Sequence, residues 1–338
     1  MKKDPTASTR KHDHIELAFE SRILTENLDS RFYYEPLLSA HPNQISGYPK
    51  SFLNKQIQAP IWISSMTGGT EKALMINKNL ATACKEFGLS MGLGSCRSIL
   101  DSDDRLSDFA MRPFIGDQPL YANLGTAQLE ELINAGNLKS VYQLVEKLEA
   151  DGLIIHVNPL QEWLQDEGDQ ITMPPIDVIR TVLQEVDFRI IVKEVGQGFG
   201  PESLKELIQL PIEAVEFAAS GGTNFSLLEL LRSRAERKDA FQSFANIGHS
   251  ADQMIDFLNE LIPSLGPKVN CRNFIISGGI TNFLDGYYHI NRLNHNAIYG
   301  QASSMLKHAQ VSYEALHQYI SLQIEGLKFA SAYLRIKS

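Results

Sequence analysis

Short segments ending in small or polar residues recur along this chain of 338 residues, and they carry the groups with which chemistry could be done. The first is Ser65-Met66-Thr67-Gly68-Gly69-Thr70, followed by Gly92-Leu93-Gly94-Ser95-Cys96-Arg97 and Ala122-Asn123-Leu124-Gly125-Thr126. Glycines let backbone N–H groups come close to a ring or a phosphate, while hydroxyls both donate and accept. Any one of these strings alone reads as a tight turn between a strand and a helix; three in succession point to a shared binding surface. The next tip is His156-Val157-Asn158-Pro159-Leu160-Gln161-Glu162, where alternation along a strand puts His156 and Asn158 on one face. A lone inward histidine is more often a satisfied core residue, but this one shares its tip with Asn158, Gln161 and Glu162, which favours a functional role.

Glu162 alone cannot build a metal cage. It can hold one edge of a Mg²⁺ ion whose other ligands are substrate phosphate oxygens and waters. The following tip is Lys193-Glu194-Val195-Gly196. A lysine inside a strand covered on both faces is costly unless it meets an anion, and a reduced flavin is such a partner. A surface pair with Glu194 is the competing reading, weakened because adjacent strand residues face opposite ways. Two later tips read Ser220-Gly221-Gly222-Thr223-Asn224 and Ser277-Gly278-Gly279-Ile280-Thr281, and the last is Gly300-Gln301-Ala302. In a closed barrel of alternating strands and helices, the loops after the seventh and eighth strands commonly hold phosphate, and two Ser-Gly-Gly tips suit that role.

The elements that must position these tips alternate between short apolar runs and helical stretches, the pattern of a parallel sheet. Candidate strands fall at residues 60–65, 89–95, 120–125, 152–158, 189–195, 214–220, 273–277 and 297–300. Eight strands close a barrel, so the expected fold is an α/β, (β/α)8 TIM barrel. An open doubly wound sheet also alternates, but it favours five or six strands and a G-x-G-x-x-G turn after the first, which is absent. Helices are expected at 71–87, 175–185, 201–208 and 251–261, and residues 234–248 as an inserted loop near the site. The expected organisation is an N-terminal extension, 1–59, that folds over the barrel and its site or reaches a neighbouring subunit, then a barrel, 60–320, and a C-terminal helix, 321–338.

Bulk properties narrow the partners. A formal net charge of −9 disfavours nucleic acid and anionic membranes, so an anionic ligand would need locally gathered cations. Hydrophobic content of 43% allows a sizeable core. Three cysteines without paired spacing fit a reducing compartment, and a polar N-terminus without an apolar run gives no secretory signal, so a cytoplasmic protein is expected.

From Arg10 to about Lys307 these tips resemble the type 2, FMN-dependent isopentenyl diphosphate isomerases. The resemblance rests on Arg10-Lys11, on the strings at 65–70, 92–95, 122–125, 193–196, 221–224 and 277–280, and above all on Asn158 to Glu162 followed by Gly168-Asp169. It implies that Ser65, Met66, Thr67, Ser95, Asn123, Lys193 and Thr223 contact FMN, and that Gly279, Ile280, Gln301 and Ala302 hold its phosphate. It further implies that Arg10, Lys11, Ser95, Arg97, His156, Asn158 and Gln161 bind substrate, that Glu162 binds Mg²⁺, and that Gln161 and His156 serve catalysis. NADPH as flavin reductant and a homo-oligomer, tetramer or octamer, also follow from it. The chain departs from the family pattern at Thr281, where Arg is usual, at Cys96, where Gln is usual, and at 246–250, which replaces a Trp-Gly-Ile-Pro-Thr string and brings in His249.

The activity implied is interconversion of isopentenyl and dimethylallyl diphosphate. Two other readings stay open on the residues alone. One is an FMN-barrel oxidoreductase acting on a small hydroxy acid, which leaves the Asn158–Glu162 string unexplained. The other is a non-catalytic flavin or phosphate sensor, which has no need of His156, Gln161 and Glu162 together.

Overall fold

The computed structural model describes residues 6–48, 50–65, 68 and 72–337. Eight parallel strands close on themselves: β1 (Ile61–Ile63), β2 (Ser90–Gly92), β3 (Leu120–Gly125), β4 (Gly152–His156), β5 (Arg189–Lys193), β6 (Ala214–Glu216), β7 (Asn273–Ser277) and β8 (Asn296–Gln301). Each pairs with its neighbours in sequence order, and β8 pairs with β1 to complete the barrel. All eight expected strands are present. Several stop short of their expected ends, although single ladder bonds continue past them, from the Leu93 N–H to the Tyr121 carbonyl and from the Phe217 N–H to the Ile275 carbonyl (both 2.9 Å).

Strand alternation sorts the side chains by height. Trp62, Tyr121, Ile154, Ile191, Ala214, Ile275 and Ile298 fill the middle of the barrel as one apolar cluster. One inward step further along the strands the interior turns polar, with Ser64, Asn123, His156, Lys193, Glu216 and Ser277. The outward faces of the strands pack under the helical layer in a second, larger cluster.

The segment before β1 takes two unrelated positions. A hairpin of Ser51–Phe52 and Lys55–Gln56 inserts Phe52, Leu53 and Ile57 into the apolar cluster inside the barrel, sealing the end opposite the strand tips. It is fastened there by Arg189, which donates to the Leu53 carbonyl (2.8 Å), and by Lys55, which pairs with Asp151 (2.5 Å). Farther upstream, Phe32–Tyr34 pairs antiparallel with Leu334–Ile336, tying the early chain to its last strand. The first helix, Ala7–Leu17, lies exposed.

Other differences are local. The stretch 234–248, expected as a loop, holds a helix, Ala235–Phe241, and a 3-10 turn, Gln242–Asn246. The helix after it runs Ala251–Leu265 and includes Pro263, while the C-terminal helix begins at Tyr313 and ends at Tyr333.

Candidate active site

The strand tips enclose two adjoining cavities. The first lies over β5 to β8 and the end of β1, and glycines form much of its wall. Gly221 and Gly222 after β6 face Gly278 and Gly279 after β7 so closely that a Cβ on Gly221 would stand 3.2 Å from the Gly279 Cα. Gly278 has φ +92°, and a Cβ there would sit 2.0 Å from the Ala219 carbonyl oxygen, so no side chain is tolerated. Lys193, Thr223, Ile280, Gln301 and Ala302 complete this wall. Gln301 is fixed from behind: its amide accepts from Tyr319 Oη (3.2 Å) and donates to the Ile280 carbonyl (3.4 Å).

The second cavity lies over β2 to β5 and is lined by side chains, among them Ser95, Arg97, Asn123, His156, Asn158 and Glu162. It shares Ser65, Lys193 and Phe225 with the first, so a ligand crossing from one to the other passes these three residues. Strand register sets the shared level: Gly125 pairs with His156, His156 with Lys193, and Lys193 with Glu216.

His156 Nδ1 meets Asn123 Oδ1 at 2.8 Å. Burial, and after it the charge of Lys193, push the His156 ring down to about 3, so the imidazole is neutral at physiological pH. An Asn oxygen can only accept, so Nδ1 carries the ring proton and Nε2 is left as an acceptor. Lys193 donates to the Glu194 carbonyl (2.8 Å). Glu194 makes no surface pair with it; its Oε2 instead accepts from the backbone N–H groups of Val195, Gly196, Gln197 and Gly198 at 2.6–2.9 Å. Burial pushes the Glu194 carboxyl up, opposed by the N–H groups of Gln197, Gly196 and Gly198 and by Lys193.

Asn158 precedes the short helix Pro159–Leu164, whose first turn aims Gln161 and Glu162 back at the cavity. Asn158 Nδ2 donates to Glu162 Oε1 (2.8 Å) and Gln161 Oε1 (3.3 Å). Glu162 Oε2 accepts the Asp169 N–H (2.8 Å). Asp169 in turn accepts from Arg97 (2.5 Å) and Gln128 (2.8 Å), so the guanidinium at the cavity wall is held by a carboxylate. Gln161 Nε2 donates to the buried Glu229 (3.2 Å), which also binds Arg232 (2.7 Å). Among the described residues no group of three or more His, Cys, Asp or Glu could hold a metal ion.

The residues singled out in the sequence thus divide. Ser65, Lys193, Thr223, Gly279, Ile280, Gln301 and Ala302 line the first cavity, and Ser65, Ser95, Arg97, Asn123, His156, Asn158, Gln161, Glu162 and Lys193 the second. Met66 and Thr67 lie outside the described residues. Arg10 and Lys11 are on the exposed first helix and line neither cavity. Of the departures, Thr281 borders the first cavity but donates its hydroxyl to Asp285 (2.6 Å), Cys96 is buried behind the wall, and His249 packs edge-on against Phe257 away from both cavities. Sequence reading missed Gln128, Glu216, Phe225 and Glu229. Only Gln128 carried a signal: it stands three residues past Gly125, the helix-capping spacing, and accepts the Gly125 N–H at 3.1 Å.

Comparison with known proteins places this geometry. No protein-family profile matches the chain. It is similar to the isopentenyl-diphosphate delta-isomerase of Rickettsia typhi, 34% identical over 324 residues that cover 94% of this chain and 91% of that protein. It is likewise 35% identical over 329 residues to the enzyme of the same name from Rickettsia rickettsii, covering 94% and 91%. Among solved structures it is similar to a mandelate oxidase with a monooxide FMN adduct, at TM-score 0.54 and 11% identity, covering 91% of this chain and 88% of that one. A mandelate oxidase with benzoyl-formic acid gives TM-score 0.56 at 12% identity, covering 91% and 87%. At such identities the likeness concerns the barrel alone, whereas the likeness to the isomerases runs through nearly the whole chain: it belongs to the isopentenyl-diphosphate delta-isomerase family.

Proposed function

We propose that the chain is a type 2 isopentenyl-diphosphate isomerase, which interconverts isopentenyl and dimethylallyl diphosphate with reduced FMN and Mg²⁺. The observation that carries the reading is the meeting of two unlike cavities at Ser65 and Lys193, one a glycine-walled cradle and the other a polar pocket with a neutral histidine.

The first cavity fits FMN. Its apposed glycine loops offer backbone N–H groups to a phosphate, and the hydroxyls of Ser64 and Ser65 are buried there without partners among the described residues. Gly279, Ile280, Gln301 and Ala302 would hold the phosphate, and Ser65, Met66, Thr67, Ser95, Asn123, Lys193 and Thr223 the remainder. The Thr281 departure removes a cation from that loop, so binding of the phosphate rests on backbone and hydroxyl donors. In its reduced form a bound flavin supplies an electron-rich ring that stabilises positive charge and exchanges a proton.

Glu162 fits Mg²⁺ as a single carboxylate whose partners would be waters and substrate oxygens, in keeping with the absence of a larger ligand cluster among the described residues. Lys193 would balance negative charge on the ring side of the shared boundary. Neutral His156 would accept a hydrogen bond from substrate through Nε2 without bringing a second cation beside Lys193. Gln161, a poor acid, would position substrate or relay a proton, its amide held by Asn158 and Glu229. Arg97 and Ser95 would flank the diphosphate, with Arg10 and Lys11 brought in from the first helix. Fixing the diphosphate at one end places the alkene, which is where binding energy is converted into rate. The reading includes NADPH as reductant, a cytoplasmic setting and a tetramer or octamer.

The test is direct. Purified protein should be yellow and isomerise isopentenyl diphosphate only with Mg²⁺ and a reductant such as NADPH or dithionite. Glu162→Gln should lower turnover at least about 100-fold at fixed Mg²⁺, since a lost charge-assisted contact is worth about 3 kcal/mol. Full activity in that variant, or in wild type stripped of Mg²⁺ by chelator, rules out the metal role.

A further inference from the structure

One buried carboxylate facing the first cavity has no part in the account so far. Glu216 ends β6, is fully buried, and stands at the same level as Lys193 on β5 and Ile275 on β7. Its Oε1 accepts from Ser277 Oγ (3.2 Å), and Ser277 Oγ in turn accepts the Ala218 N–H (3.0 Å), so the serine proton is committed to the glutamate. Its Oε2 has no partner among the described residues. Opposite, Ser64 Oγ is also without a partner, and Gly300 leaves the space between them open, since a Cβ there would come within 2.6 Å of that oxygen.

A buried carboxylate oxygen left unpaired is strongly disfavoured, and a carboxylate can be satisfied only by donors. What completes it must therefore donate. A phosphate would be repelled, and the Lys193 ammonium, turned to the Glu194 carbonyl, does not reach Glu216 Oε2. Position narrows the choice further. β6 lies between β5, whose lysine sits at the boundary of the two cavities, and the glycine loops after β7 that close the far wall. A ligand with its ring at that boundary and its phosphate at the glycine wall must pass its connecting chain over β6.

We propose that Glu216 is a cofactor-binding residue whose carboxylate accepts hydrogen bonds from the hydroxyls of the chain joining ring and phosphate. This rests on the reading of the cavity as an FMN site and specifies which part of that ligand the protein recognises. Ser277 orients the carboxylate through Oε1, and Ser64 supplies a facing hydroxyl.

The test compares two ligands on flavin-free protein: FMN, and a 5-phosphopentyl isoalloxazine that lacks the three secondary hydroxyls. Binding is read by flavin fluorescence and folding by circular dichroism. Wild type should prefer FMN by about 10- to 100-fold, the range of charge-assisted hydrogen bonds. Glu216→Ala should bring the preference close to parity by weakening FMN alone, and the isosteric Glu216→Gln, whose amide oxygen still accepts, should fall between. A purely structural glutamate would weaken both ligands equally. Undiminished preference in both variants, or parity already in wild type as expected if only a water meets the carboxylate, overturns the proposal while leaving the FMN site standing. Failure of wild type to bind FMN overturns both.

Discussion

A histidine at the tip of a barrel strand can be a cation, a general base or a fixed acceptor, and here the neighbours decide. His156 is buried, donates to Asn123 and pairs in register with Lys193, so protonation is opposed both by lost solvation and by a nearby positive charge. The folded ring stays neutral down to about 3, whereas an unfolded one takes up a proton near 6.5. Between those values the unfolded chain binds the extra proton. The contribution of this group is therefore intact above the upper value and declines toward the lower one, by about 1 kcal/mol per pH unit. Urea unfolding at pH 7 and pH 5 should show a larger loss in wild type than in His156→Asn; equal losses would mean that the ring is already charged in the folded protein. The same scale shows why some of the site was hidden in the sequence. Asp169 holds Arg97 from 72 residues away, a distance that no local spacing encodes. Glu229 sits within the helix Phe225–Arg232, where a glutamate ordinarily reads as solvent-facing, and Glu216 is flanked by Val215 and Phe217 in what reads only as a strand.

The elements were far more legible, for a physical reason. Strands covered on both faces need apolar runs, and those runs stand out at 120–125, 152–156, 189–193 and 273–277. Where the pattern overran the strand, as at Val195, burial continued after the N–H had turned from the ladder to the Glu194 carboxylate, and periodicity cannot tell the two apart. The hairpin at 51–56 was not legible: its strands are two residues each, and its role depends on the open barrel end beneath it. That dependence is testable. Phe52 is 2% exposed within the interior cluster, so Phe52→Ala should destabilise by about 3–5 kcal/mol in urea denaturation. A loss under about 1 kcal/mol would show that the hairpin only rests on the barrel.

For the molecule as a whole, the three cysteines give a simple probe of packing. Cys84, Cys96 and Cys271 are all unpaired and buried, and burial pushes each thiol up, Cys96 and Cys271 to about 12. Native protein should therefore react with no equivalents of a thiol reagent at pH 8, and denatured protein with three. Early reaction of one thiol would locate a region that opens without global unfolding. The resemblance that reads Cys96 as standing for a substrate-facing residue gains no support from its position behind the wall.

The hairpin also governs traffic. With Phe52, Leu53 and Ile57 closing one end, the barrel is a cul-de-sac, and everything that occupies the two cavities enters and departs through the same mouth. The two cavities lie side by side at that mouth and share a boundary at Ser65, Lys193 and Phe225, so a molecule seated in one borders the way into the other. Exchange of a ligand from one cavity should then slow as the other fills.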